Sequence, residues 1–265
     1  MPFSIINIIV YQHDMKLQES SIQLYEVIRV INGIPVFLED HLARMYNSAQ
    51  LIGFENLPGS DELVNRINNF IASENKDIGN IKLGFSFSDP AAEPEFTLSY
   101  IPHYYPTRKE YANGVKVGLI KADRPMPNAK IQQSDIRERA NHAMEINGQF
   151  EVLLVDSDGN ITEGSRSNVF FIKDEKLYSA PVEKILQGIT RIKVLDICKK
   201  EGIEVIETDI PANSLGQFEA AFLTGTSPKV LPICSIEKIN YETKLPLLIK
   251  ILGAYNLLIE NRLLL

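Results

Sequence analysis

The chain is poor in cysteine, with two, Cys198 and Cys234, in 265 residues. They are far apart, and neither belongs to a Cys-x-x-Cys pair or a Cys/His cluster. The sequence therefore predicts two buried free thiols in a reducing compartment, not a disulfide framework. The four histidines (His13, His41, His103, His142) lack His-Glu-x-x-His or comparable ligand spacing, so no metal site is expected. Positive charge is also short. The formal net charge is -7, which argues against a nucleic-acid partner, since phosphate binding there normally needs a basic patch. A small phosphorylated ligand is not excluded, because it needs only a local positive site. Long apolar runs are missing too. The most apolar stretch, "LPLLIKILGAYNLLI", is interrupted by Lys250 and too short to cross a bilayer; its periodicity suits an amphipathic helix. The amino end has no basic region before "SIINIIVY" and no small-residue cleavage site, so it reads as a strand over 5–11, not a signal peptide. The expectation is a cytoplasmic protein with no membrane or nucleic-acid partner.

What remains is ordinary globular material. Apolar residues make up 45% and charged residues 23%, and 265 residues can bury a core without disulfides or metals. Strands are predicted over 5–11 and within 25–38, where Asn32-Gly33 between β-rich runs signals a hairpin. A helix follows, with Leu42, Met45, Ala49 and Ile52 at helical spacing and Gly53 as its stop. A second helix covers 60–74, and strands cover 80–88 and 95–101. Residues 102–113 break the pattern and read as a connection between domains. After a strand, the Pro-rich "DRPMPN" leads to Lys130 and a helix ending at Gly148. Two hairpins follow, the first turning at Asp158-Gly159. A helix with a Gly stop, a strand, a strand–turn–strand unit and a last helix over about 243–261 complete the chain.

Four local features carry possible chemistry, each with a plain alternative. Lys130 sits at a linker–helix junction, where a lysine is usually just solvated. Glu163 precedes Gly-Ser-x-Ser-Asn, whose backbone freedom and donors suit a ligand-facing loop, although a glutamate near a turn is usually a surface residue. Gly188, Ile189 and Thr190 open a helix whose free N–H groups and positive dipole end suit a phosphate; a plain Thr cap is the alternative. Thr224-Gly225-Thr226-Ser227 is a hydroxyl-rich turn at the end of a strand.

The spans "YEVIRVINGIPVFLEDHLARMYNSAQ", "AKIQQSDIRERANHAMEINGQFEVLLVDSDGNITEGSRSNVFFI", "LQGITR" and "FLTGTS" occur in one order. That order closely resembles the class IV aminotransferase family: branched-chain aminotransferases, D-amino-acid aminotransferases and aminodeoxychorismate lyases. The resemblance covers roughly 22–235. It implies an α+β, two-domain, fold type IV enzyme, with a smaller N-terminal α/β domain over 1–106. A larger C-terminal mixed α/β domain over 107–265 would bind pyridoxal 5′-phosphate. It implies that Lys130 is the Schiff-base lysine and catalytic proton shuttle, and that Glu163 pairs with the pyridine nitrogen. Arg44 of "HLAR", Gly188, Ile189, Thr190 and Thr226 would hold the phosphate. A homodimer with the site near its interface is implied, and no metal.

The sequence also departs from the family. Gln133-Ser134 stand where many members have Asn-Tyr, and Phe87 lies near the position of a substrate-binding arginine in some members. The substrate carboxylate must then be held by other groups. Arg29, Arg166 and Lys82 are the candidates, in that order, with Tyr25 and Ser227 lining the same pocket. Tyr25 and Arg29 share a face of a regular strand; a surface ion pair is the alternative for Arg29. Arg166 lies three residues after Glu163, and a guanidinium can grip a carboxylate in bidentate fashion. The leading functional reading is transfer of an amino group between an amino acid, branched-chain among the candidates, and a 2-oxo acid. The alternative is release of pyruvate and 4-aminobenzoate from aminodeoxychorismate. A third reading is a cofactor-binding protein that has lost turnover.

Overall fold

In the computed structural model, which describes residues 22–54, 56–87 and 93–264, the chain first reverses at Asn32 and Gly33. Both have positive φ, 52° and 74°, the left-handed pair that a two-residue hairpin turn demands. This hairpin joins β1 (Ile22–Ile31) to β2 (Ile34–Pro35). The second run is shorter than its composition predicts, because Phe37 takes a left-handed φ of 57° and caps α1 (Leu38–Leu51). The strand expected over 5–11 lies outside the described residues.

α2 (Ser60–Glu74), β3 (Ile78–Phe87) and β4 (Glu95–Ile101) follow. Among the described residues, β2-β1-β3-β4 form one antiparallel sheet. Alternation along β1 buries Leu24, Ile28 and Val30 against Leu42 and Met45 of α1 and Leu63 and Ile67 of α2. Tyr25, Val27 and Arg29 face the other way. Phe87 stacks on Phe54 at 3.8 Å between ring centroids and so belongs to this core.

The segment read as a plain connection contains a short helix, α3 (Arg108–Asn113). A capping box starts it: Glu110 N–H donates to Thr107 Oγ1 at 3.2 Å, and Thr107 N–H donates to the Glu110 carboxylate at 2.7 Å. The remaining elements are β5 (Val115–Lys121), α4 (Ser134–Asn147), β6 (Glu151–Val155), β7 (Ile161–Gly164), β8 (Asn168–Lys173) and β9 (Lys176–Ser179). Then come α5 (Ile189–Glu201), β10 (Val205–Glu207), β11 (Ala220–Gly225), β12 (Lys229–Ile236), β13 (Ile239–Asn240) and α6 (Pro246–Arg262). Their strands form a second sheet of order β10-β9-β8-β11-β12-β5-β6-β7, with β13 beside β12. Its mixed pairing, parallel where β5 meets β6 and β12, fits strands buried on both sides, such as the all-buried β6. α5 and α6 cover one side of this sheet through Val194, Ile197, Leu248, Ile251 and Tyr255. No helix among the described residues is long and apolar enough to cross a membrane.

Candidate active site

Lys130 is fixed by its backbone before its side chain does anything. The residues after the Pro-rich linker run beside β1: Tyr25 N–H donates to the Lys130 carbonyl at 3.1 Å, and Gln132 N–H to the Gln23 carbonyl at 2.9 Å. Lys130 N–H in turn donates to Ser48 Oγ of α1 at 3.1 Å. The amine therefore emerges between the two sheets. It lies 4.8 Å from the centre of the Tyr25 ring. Burial holds the Lys130 ammonium below its usual pKa, with Arg44 and Arg124 adding to the effect against the pull of Tyr25 and Glu26. The positive charge of Lys130 is the main cause that brings the Tyr25 phenol down, to about 8.

Glu163, near the end of β7, is buried. Oε2 accepts from the Leu186 N–H at 3.1 Å and from Asn168 Nδ2 at 3.2 Å. Oε1 lies 2.7 Å from Nε of Arg124. The two are close but misaligned, and neither atom has a hydrogen-bond partner although both are buried. Burial raises the Glu163 pKa in spite of Arg124.

The loop after Glu163 is folded around a second buried acid, Glu151 at the start of β6. Ser165 Oγ donates to its Oε1 at 2.6 Å, and Ser167 Oγ and Arg166 N–H donate to its Oε2 at 3.0 and 3.1 Å. Gly164 is required by this close packing, since a Cβ there would lie 2.2 Å from Ser167 Oγ.

α5 opens with Gly188 at its N-cap and no side chain satisfying its first N–H groups. The amides of Ile189 and Thr190 belong to that first turn and have no acceptor within the helix. Thr190 is not the cap; its hydroxyl pairs with that of Tyr255 at 3.2 Å. Arg44 reaches the same place, donating from Nη1 to the Gln187 carbonyl at 3.2 Å. It is aimed by Glu26, which accepts from Nε at 2.8 Å and Nη2 at 2.6 Å. Across the opening, Thr226 Oγ1 donates to the Val27 carbonyl at 3.3 Å. The adjacent turn is tied down by Asn80 Nδ2, 2.7 Å from Ser227 Oγ, and by Arg29 Nη1, 3.1 Å from the Ser227 carbonyl.

Glu26 has a consequence for stability. Burial pushes its pKa up, but Arg44 and the neutral His41, whose Nδ1–H it accepts at 2.7 Å, bring it from an ordinary 4.5 to about 2. A depressed folded-state pKa stabilises the fold above 4.5, and that stabilisation is lost as the pH falls from 4.5 through 2. Up to about 3 kcal/mol is at stake, since each pH unit is worth ~1.4 kcal/mol. Denaturation free energies measured at falling pH are expected to drop more steeply in wild type than in Glu26→Gln. Parallel curves would contradict this role for the pair.

Lys130, Arg44, Glu163 and Thr226 line one cavity of about 1000 Å³. Gly188, Ile189 and Thr190 line it too, as do Tyr25, Lys82, Arg166 and Ser227. Arg29 does not. Its guanidinium lies 3.8 Å over the Tyr105 ring, outside the cavity wall. Gln133 and Ser134 do reach the cavity, and Gln133 Nε2 braces the linker through the Pro125 carbonyl at 2.8 Å. Sequence reasoning did not single out Arg124, Glu151, Asn168 or Arg137, all of which face the cavity.

A family model, amino-transferase class IV, matches residues 23–236. The chain belongs to the class IV aminotransferase family. A D-alanine aminotransferase from Bacillus licheniformis is 30% identical over 228 residues, covering 81% of this chain and 78% of the relative. Two solved structures share the fold. One, from Legionella pneumophila and provisionally assigned as a 4-amino-4-deoxychorismate lyase, has a TM-score of 0.81 at 23% identity, covering 92% of each chain. The other, the branched-chain amino acid aminotransferase of Thermobaculum terrenum in its PLP form, has a TM-score of 0.78 at 23% identity, covering 91% of this chain and 85% of the other. The fold is thus that of the class IV, fold type IV enzymes, as the motifs predicted. The matched span contains every residue of the cavity discussed above.

Proposed function

We propose that the protein is a pyridoxal-phosphate-dependent aminotransferase that moves an amino group between an amino acid and a 2-oxo acid, with Lys130 as its catalytic residue. The observation that carries this reading is a convergence on one cavity. An amine with a lowered pKa, a buried carboxylate oxygen met only by the misaligned Arg124 Nε and an uncapped helix start beside an arginine all open on it.

Each feature fits one part of the cofactor. Oε1 of Glu163 would accept the ring N–H, and a second positive charge beside that of Arg124 would further offset the burial that raises its pKa. The amides of Ile189 and Thr190, the Arg44 guanidinium and the Thr226 hydroxyl, once turned from the Val27 carbonyl, would hold the phosphate. Gly188 lets the start of α5 pack against Asn168, because a Cβ there would lie 2.1 Å from Asn168 Oδ1. When bound, pyridoxal phosphate supplies a carbonyl that condenses with a primary amine and a cationic ring that draws electron density from the substrate Cα. The protein does the rest. Lys130 acts first as nucleophile, its amine more readily neutral through burial, and then carries a proton at Nζ to and from Cα. Tyr25 orients that amine. Glu163 holds its negative charge where the ring nitrogen must stay protonated. Two copies of the chain form the working assembly, in keeping with the family.

Purified protein given pyridoxal phosphate, an amino-acid donor series and a branched 2-oxo acid is expected to form the corresponding new amino acid. Release of pyruvate and 4-aminobenzoate from aminodeoxychorismate, without amino transfer, would put the protein in the lyase branch instead. A cofactor absorbance band that no amine shifts would contradict both.

A further inference from the structure

The segment that delivers Lys130 has little backbone bonding of its own. In "DRPMPN", residues 123–128, Pro125 and Pro127 carry no N–H. Met126 between them has a left-handed φ of 49°, a conformation that a side chain disfavours and that its surroundings must enforce. A local bond closes the turn, from Ala129 N–H to the Met126 carbonyl at 3.0 Å. Side chains add further ties. Arg124 Nη2 donates to the Ser165 carbonyl at 3.2 Å, and Gln133 Nε2 donates to the Pro125 carbonyl. Asn128 supplies another, and it reaches a different part of the site.

Asn128 Nδ2 donates to two carbonyls, that of Val182 at 2.8 Å and that of Ile185 at 2.7 Å. They lie at the two ends of a single 3-10 turn, Val182–Lys184. The residue after it, Leu186, gives its N–H to Glu163 Oε2. The Leu186 carbonyl accepts from Asn168 Nδ2 and from the N–H of Gly188, the N-cap of α5. Among the described residues, no other hydrogen bond joins 123–133 to 181–188. One amide thus spans the seam between the Lys130 amine and the groups that would hold the cofactor's ring and phosphate. The contact is chemically specific. Two carbonyl oxygens face one atom, so that atom must offer two hydrogens, as an amide nitrogen does. Aspartate has the same shape but would set an oxygen against both carbonyls, and alanine would leave them without this donor. Each side of the seam is also held independently. Lys130 is fixed through Tyr25 and Ser48, and Leu186 through Glu163 and Asn168. Loss of Asn128 should therefore leave both sides formed but free to shift against each other.

We propose that Asn128 is a positioning residue that sets the Lys130 amine against the ring and phosphate sites, so that covalent linkage of the cofactor depends on it while occupation of those sites does not. This rests on the aminotransferase reading and deepens it. In the linkage step the neutral Lys130 amine attacks the aldehyde carbon. A C=N bond replaces C=O, and the oxygen leaves as water with both amine protons.

The test compares two ligands on the full-length protein freed of cofactor. Pyridoxal phosphate can link to Lys130, and the first-order rate at saturation is read from the change in its absorbance. 4-Deoxypyridoxine phosphate has a methyl group in place of the aldehyde, so it occupies the ring and phosphate sites without linking; equilibrium dialysis reads its affinity. Asn128→Ala is expected to slow linkage by roughly tenfold to a hundredfold, the range for a reacting group displaced by up to about 1 Å, and to leave the affinity for the analogue within about twofold. Asn128→Asp, which repels the two carbonyls, should slow linkage at least as much. Retained analogue binding in either variant reports an intact fold. Equal losses in linkage and in analogue binding, or a loss in neither, would overturn the proposal. Linkage at Lys130 that depends on Asn128, with no amino transfer to any 2-oxo acid, would leave the positioning role standing and refute the aminotransferase reading. Amino transfer with a linkage rate that neither variant alters would do the reverse.

Discussion

Lys130→Ala is expected to lower the amino-transfer rate by a factor of ~10⁴ or more, because a nucleophile and a proton carrier are lost with one side chain. The backbone at this position is held by Tyr25, Ser48 and the strand-like contact of residues 130–132 with β1. None of those bonds involves the amine. Alanine should therefore leave the fold intact, and removing a partly desolvated ammonium should not lower the melting temperature. The phosphate site at α5 is also untouched, so pyridoxal phosphate should still bind, more weakly and without a covalent link. Single-turnover absorbance measurements read the rate and a titration reads the binding. A variant that keeps more than a few per cent of wild-type turnover would contradict the role of Lys130.

Glu163→Gln should be the next most damaging change, with turnover falling by roughly 10²–10³, as for loss of one preorganised electrostatic group. The amide keeps the shape, so contacts near Leu186 and Asn168 can persist in part. What disappears is the negative charge beside the ring nitrogen. Stability should move the opposite way from activity. Burial raises the Glu163 pKa, so ionising it opposes folding as the pH rises above its ordinary 4.5. At pH 7 the neutral variant should melt at the same temperature or higher. Loss of turnover with a retained melting temperature and retained cofactor affinity is the expected pattern. Unchanged kinetics would show that the charge is not used.

Much of this arrangement was legible in the sequence, for local reasons. The Asn32-Gly33 and Asp158-Gly159 turns, the Gly stops after α4 and α5, and the alternation in β1 are all written in neighbouring residues. The α3 helix escaped the reading of 102–113 as a connection: Thr107 and Glu110 have capping-box spacing, but a helix of six residues carries too little periodicity to announce itself. The placement of Arg29 shows where strand logic stops. It shares a face with Tyr25, as period two requires, yet four residues of strand separate them by ~13 Å. That carries Arg29 past the end of the cavity to Tyr105 and Ser227. Arg137 was missed for the opposite reason. "SDIRERANHAME" reads as a solvated helix face, and only the approach of β1 and the loop after Glu163 turns that face into a cavity wall. Glu151 opens an apolar strand, and the partners that make it the centre of a loop lie 14 to 16 residues downstream.

The central claim is that Lys130 is the amine that carries the cofactor. Borohydride reduction of the pyridoxal-phosphate-loaded protein, followed by proteolysis and mass mapping, tests it most directly. The account predicts one phosphopyridoxyl-modified peptide, containing Lys130, and no such label in Lys130→Ala. A label on another lysine, or undiminished labelling of the variant, would contradict it.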